Sequence, residues 1–158
     1  MTRLNRAATA ALFAFVVIGM ALFSSWANAQ LRQVPLTIQT SGGPVALEIE
    51  LAETPDQQSK GLMFRKSLGE RAGMLFSYAP AKEITMWMRN TYIPLDMLFV
   101  RADGVIHRIE VMTQPFSEDI IPSQGEVTAV LELNGGAAAK LGIKPGDRVQ
   151  HTSFGTGR

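Results

Sequence analysis

Cysteine is absent from all 158 residues, which excludes disulfides, thiolate metal sites, cysteine nucleophiles and thiol redox chemistry together. Histidine is scarce: His107 and His151 are the only two, each alone in an alternating segment, where a packing or surface role is the ordinary reading. Ser67, Ser77, Ser117, Ser123 and Ser153 have no nucleophile-elbow context, so a Ser-His-Asp hydrolase is not indicated. The chain also lacks a Gly-rich phosphate loop, a calcium loop, a zinc-binding pattern, internal repeats and low-complexity segments.

One long apolar run is present, and it lies at the N-terminus. Arg3 and Arg6 form a basic segment, residues 7–23 are almost unbroken hydrophobics, and Ala27-Asn28-Ala29 is a small-residue cleavage site. This is the pattern of a cleavable signal peptide over residues 1–29, with Gln30 opening the mature chain and export to the periplasm or beyond. The alternative is an uncleaved leader that anchors the chain in the inner membrane, since residues 7–26 are about long enough to span a bilayer.

Residues 30–158 suit one domain with one core. Two of the fifteen Lys and Arg residues and none of the fourteen acids belong to the leader. Thirteen cations then face fourteen anions, a net charge of −1, which argues against a nucleic-acid partner. The membrane enters only through an uncleaved leader.

Short alternating segments follow one another. Residues 34–40 and 45–51 predict a hairpin turning at Ser41-Gly42-Gly43, with Leu36, Ile38, Val45, Leu47, Ile49 and Leu51 inward. Thr54-Pro55-Asp56 predicts a short capped helix ending near Gly61. Residues 73–78 and 84–90 read as two buried strands. Residues 95–101 and 105–112 read as a hairpin around Asp103-Gly104, residues 114–125 as a long loop, and 126–133 as a strand. Asn134 is placed to cap a short helix from Ala137 to Leu141, before a last strand at 148–152. Seven to eight strands with two short helices predict a mainly β fold, either a jelly-roll-like sandwich or a partly closed barrel.

The most informative stretch is Trp87-Met88-Arg89-Asn90-Thr91-Tyr92-Ile93-Pro94-Leu95-Asp96, which sets charged and amide groups in apolar company. Such groups either satisfy one another or face a concave site, because unpaired burial costs several kcal/mol. Asp96 shares a strand face with Leu98 and Val100, and Glu132 with Val130 and Thr128. Arg65 is the expected cation for the buried carboxylates. Arg65, Arg89, Asn90, Thr91, Asp96 and Glu132 are therefore the candidate ligand-binding residues, with no catalytic residue, metal ligand or cofactor assigned.

Gly61-Leu62-Met63-Phe64-Arg65, Gly73-Met74-Leu75-Phe76, Trp87-Met88-Arg89-Asn90-Thr91, Ile93-Pro94-Leu95-Asp96, Leu131-Glu132-Leu133 and Gly146-Asp147 occur in an order and spacing that resemble the uncharacterised bacterial and archaeal domain of unknown function 192, over roughly residues 35–151. The resemblance implies a small, mostly β fold of jelly-roll-like type that is often exported or membrane-attached. Many members carry an aromatic residue where Thr85-Met86 stands, and Lys where Arg89 stands, so the latter position needs a positive charge more than a guanidinium fork.

Three functional readings follow. The leading one is a non-catalytic exported domain that binds a small polar molecule, carbohydrate among the options, or a protein partner around Arg65, Arg89, Asn90, Thr91, Asp96 and Glu132. The second is periplasmic Cu(I) binding by Met86 and Met88 beside Trp87, set against methionine as ordinary core filler. The third is carboxylate chemistry on a saccharide by Asp96 with Glu132, which requires both side chains in one cleft.

Overall fold

The structure, a computed structural model, describes residues 31–156. The expected leader at 1–29 lies outside the described residues, and no helix among the described residues is long and apolar enough to cross a membrane.

Hydrophobic alternation builds the first hairpin as expected. Strand β1 (Gln33–Thr40) pairs antiparallel with β2 (Gly43–Ala52), turning at Ser41-Gly42 with Thr40 opposite Gly43. Helix α1 (Pro55–Lys60) follows, its start fixed by a full capping box: the Thr54 hydroxyl accepts from Gln57 N, and the Gln57 amide oxygen accepts from Thr54 N. Gly61 ends it at φ 47°. This helix lies in the crossover between β2 and β3 (Ala72–Met86), which pair in parallel and so need a connection over the face of the sheet.

Strand β3 corrects one expectation. The segments at 73–78 and 84–90 are a single strand interrupted by an irregularity between Ser77 and Lys82, and it stops at Met86. Pro80 has no N–H to donate, and it falls where no partner residue is paired, so it breaks no ladder bond. Strands β4 (Leu95–Val100) and β5 (Ile106–Glu110) form the expected hairpin. Strand β6 (Ile121–Asn134) starts inside the expected 114–125 loop, because residues 121–122 pair with Thr85 and Met86 at the far end of β3. Helix α2 (Ala137–Lys140) and β7 (Arg148–Gln150) complete the order.

The seven strands make one sheet in the order β5-β4-β6-β3-β2-β1-β7. It curls until its edges meet: Val105, just before β5, bridges Arg148 of β7, and Ile106 N donates to Asp147 O at 2.9 Å while Val149 N donates to Gly104 O at 2.8 Å. The expected partly closed barrel is therefore the architecture found, rather than a sandwich.

Closure gives the sheet two apolar faces. All seven strands supply the inner one, including Ile38, Ile49, Leu75, Leu98, Leu131 and Val149. The outer one is restricted to β2, β3, β4 and β6, where Met74, Phe76, Met97, Phe99 and Val130 are covered by Leu62, Met88 and neighbouring loop residues. Strands with both faces buried explain the continuous apolar run of β4, whose six residues are all buried.

Candidate functional site

Register across the sheet places the polar residues. Glu50, Met74, Glu132, Met97 and Glu110 are successive cross-strand partners along β2, β3, β6, β4 and β5. Partners in register share a face, so these side chains form a row on the outer face. Within it Glu132 is flanked by Met74 and Met97, both fully buried.

Glu132 is 4% exposed, and its carboxyl makes no hydrogen bond to any described residue. Burial among thioethers and aromatic rings disfavours its charged form and pushes its pKa up to about 8. The phenol of Tyr78 is pushed up to about 12, first by its own burial and then by the charge of Glu132. Both groups are largely protonated at neutral pH.

Glu132 forms the floor of a narrow well of about 30 Å³. Its walls include Ser59 and Lys60 at the end of α1, Met63, Met86, Trp87, Arg89 and Thr91. A broader shelf of about 310 Å³, walled by Pro55, Tyr78 and Thr85, shares Gln58, Ser59, Met86 and Trp87 with it. Trp87 is 43% exposed, and the Arg89 guanidinium lies 4.3 Å from its ring centroid while its Nε donates to Glu118 at 3.0 Å. That stack fixes the mouth of the well.

The six predicted site residues divide. Arg89, Thr91 and Glu132 come together at the well. Asn90 sits exposed at the rim, at φ 56°, its amide directed to the Met63 sulfur at 3.9 Å. The expected pairing of Arg65 with Asp96 is not found: Arg65 forms a two-pronged bond to Glu50 instead, at 2.6 and 2.5 Å. Asp96 points the other way, into the barrel: it is fully buried and accepts Met112 N at 2.9 Å, Gly136 N at 3.0 Å and Ala138 N at 2.8 Å. It caps α2 from across the sheet, taking the role expected of Asn134, because Gly136 at the N-cap has no side chain to do so.

Asp96 and Glu132 thus open to opposite faces, which removes the two-carboxylate cleft that saccharide chemistry requires. The thioethers are also engaged. Met88 is buried with its sulfur 3.1 Å from the Thr113 hydroxyl, Met86 lies 3.8 Å from the Tyr78 hydroxyl, and β3 ends between them. Among the described residues no group of three His, Asp or Glu is placed to hold a metal ion.

Beside the well lies an exposed aromatic group in which Tyr92, an expected stacking face, is joined by Phe64 and Phe116, which carry no signal in the sequence. Phe64 meets Tyr92 edge to face at 6.0 Å, and Tyr92 meets Phe116 at 5.3 Å. Phe64 and Phe116 hold positive φ of 65° and 62°, fixed by Phe64 N donating to Asn90 O and Phe116 N to Thr91 O. Side chains so placed cost about 1 kcal/mol or more each in backbone strain. The well's other missed residues, Ser59, Lys60 and Met63, come from the crossover, and only the β2–β3 parallel pairing brings them over Glu132.

The solved structures that share this fold include two at 40% identity or more. One, described as a putative transcription regulator from Sinorhizobium meliloti, is 40% identical, with a TM-score of 0.77 over 80% of this chain and 98% of that one. The other, a protein of unknown function from Novosphingobium aromaticivorans, is 44% identical, with a TM-score of 0.76 over 81% and 91%. No curated protein matches the chain. The sequence model of the family DUF192, described as uncharacterised ACR, matches residues 36–151, a span that contains every strand from β2 to β7 and the whole Glu132 well. The chain belongs to this uncharacterised family.

Proposed function

We propose that this protein is an exported binding protein whose ligand is a small polar molecule received over Glu132. One observation carries the reading: Glu132, a residue only 4% exposed, has a carboxyl without a hydrogen-bond partner among the described residues and lines a well with an aromatic mouth. A carboxyl that meets no donor from the described residues and opens only onto a narrow well gains when a guest completes its hydrogen bonding. Export rests on the leader at residues 1–29.

The test is ligand-observed NMR of the full-length chain against a panel of sugars, amino acids and small organic acids, in parallel with Glu132→Leu. Binders lost in the variant, with its folding intact by circular dichroism, support the reading. A panel without binders, or binders indifferent to the substitution, overturns it.

A protein partner is the second reading, favoured by the exposed Phe64–Tyr92–Phe116 group. Nucleic-acid binding, which the description of the Sinorhizobium relative raises, has weaker support: after the leader, thirteen basic residues face fourteen acidic ones.

A further inference from the structure

The hydrogen-bonding groups around the well are unequally divided. On the donor side stand the Lys60 ammonium, the terminal guanidinium nitrogens of Arg89, the Trp87 indole N–H and the Ser59 hydroxyl, none of which bonds to another described residue. The other polar walls are already engaged: Thr91 donates to Arg89 O, and the Gln58 amide donates to Ala52 O and Ser77 O. On the acceptor side, besides Glu132, stand the Gln58 side-chain oxygen and the Ser59 and Thr91 hydroxyl oxygens, all uncharged, while the Met63 and Met86 sulfurs face Asn90 and Tyr78. A guest that complements the two cations carries negative charge opposite Lys60 and Arg89.

Size narrows the class. A volume of about 30 Å³ admits one or two heavy atoms, since a single water occupies roughly 10–15 Å³ on this scale. A carboxylate oxygen is of that size. The adjoining shelf of about 310 Å³, faced by Pro55, Tyr78 and Trp87, has room for a flat or aliphatic body.

We infer that the well takes the carboxylate end of a small organic acid, which accepts a hydrogen bond from the Glu132 carboxyl and pairs with Lys60 and Arg89, while its body lies on the shelf against Trp87 and Tyr78. This rests on the Glu132 well being a ligand site. Two carboxyl groups in contact share one proton, and burial of Glu132 keeps that proton available at neutral pH. No covalent step is involved. An ammonium head would instead meet Lys60 and Arg89, and a neutral alcohol would leave Lys60 without an anionic partner among the described residues, Arg89 being bridged to Glu118.

Three probes with one ring and different heads separate the possibilities: phenylacetate, 2-phenylethylamine and 2-phenylethanol. Each is titrated by NMR into the full-length chain up to about 10 mM, the range in which such small ligands bind. The reporter is the Trp87 indole N–H, assigned by its loss in Trp87→Phe. Phenylacetate is expected to move it with an affinity about tenfold or more above the other two, and Lys60→Ala and Arg89→Ala are each expected to weaken phenylacetate by about threefold or more.

If the amine or the alcohol binds as tightly or more tightly, the carboxylate assignment is overturned while the well stands as a site. A phenylacetate affinity unchanged in both alanine variants also overturns it. If no probe moves Trp87, the carboxylate assignment falls, and the binding reading of the well falls with it only where the wider panel also yields no binder.

Discussion

Asp96 and Glu132 sit on adjacent strands one register position apart, Asp96 opposite Leu133 and Met97 opposite Glu132, and their side chains leave opposite faces of the sheet. One carboxyl accepts three backbone N–H groups inside the barrel; the other accepts none on the outer face. Two buried acids of the same row neighbourhood therefore have opposite consequences when changed.

Asp96 is a structural anchor. It ties the β4–β6 pair to the loop at Met112 and to the start of α2, satisfying donors that no other described group reaches. Asp96→Asn keeps the shape but sets an NH2 against backbone donors. The expected loss is about 3 kcal/mol in denaturant unfolding, with Asp96→Ala at least as costly, because hydrogen bonds to a charged group are worth roughly 1.5–3 kcal/mol each. The folded fraction of Asp96→Asn is expected to bind at the outer well as wild type does. A loss below about 1 kcal/mol contradicts the anchor role.

Glu132 destabilises the fold when ionised. Its pKa is raised to about 8 in the folded protein, so between its ordinary carboxylate range and pH 8 the native state holds more protons than the unfolded one. The sign follows: stability is undiminished below the ordinary range and falls as pH rises through 8, by an amount on the order of a few kcal/mol. Glu132→Gln removes the titration. Urea unfolding between pH 5 and pH 9 is expected to show a smaller decline for the variant, with the variant more stable than wild type at pH 9. Parallel curves for the two proteins contradict this account.

Much of the fold was legible because its signals are local. Alternation in β2, the Thr54-Pro55 cap and the Asp103-Gly104 turn depend on neighbours in sequence, and each element appears where its pattern lies. The site was legible only in part. Asp96 and Glu132 each announced themselves as carboxylates in apolar strands, but which face each occupies depends on the register between β4 and β6. Arg65 found Glu50 because β2 lies beside β3, a parallel pairing without a local signature. Lys60 and Ser59 carried no signal at all, since exposed helix ends look alike until a crossover sets one over a buried acid.

The Glu50–Arg65 pair lies partly open, with side-chain exposures of 17% and 34%. Its hydrogen bond to Glu50 is the first cause of the raised Arg65 pKa, with burial opposing it. Solvent screening keeps its worth modest, about 1 kcal/mol of coupling in a Glu50→Gln, Arg65→Gln double-mutant cycle. Arg65→Lys is expected to recover less than half of it, since an ammonium cannot reproduce the two-pronged contact. Full recovery by lysine indicates that a point charge suffices.

Gly73 tests whether β3 and β6 hold the well's floor in place. A Cβ at this position would stand 2.6 Å from the Glu132 carbonyl oxygen and 2.8 Å from the Leu133 Cδ2. The first contact is with backbone, which cannot rotate away, so Gly73→Ala must part the two strands at the residue that carries the buried carboxyl. The expected cost is about 1–3 kcal/mol of unfolding free energy, the range for overpacking a filled core. Because the strain falls on Glu132 itself, the Trp87 indole N–H resonance is expected to shift without any ligand, while Gly42→Ala in the β1–β2 turn, where the nearest atom is 3.7 Å away, leaves it unchanged. A Gly73→Ala variant as stable as wild type, with its Trp87 resonance unmoved, contradicts the tight β3–β6 approach on which the geometry of the well depends.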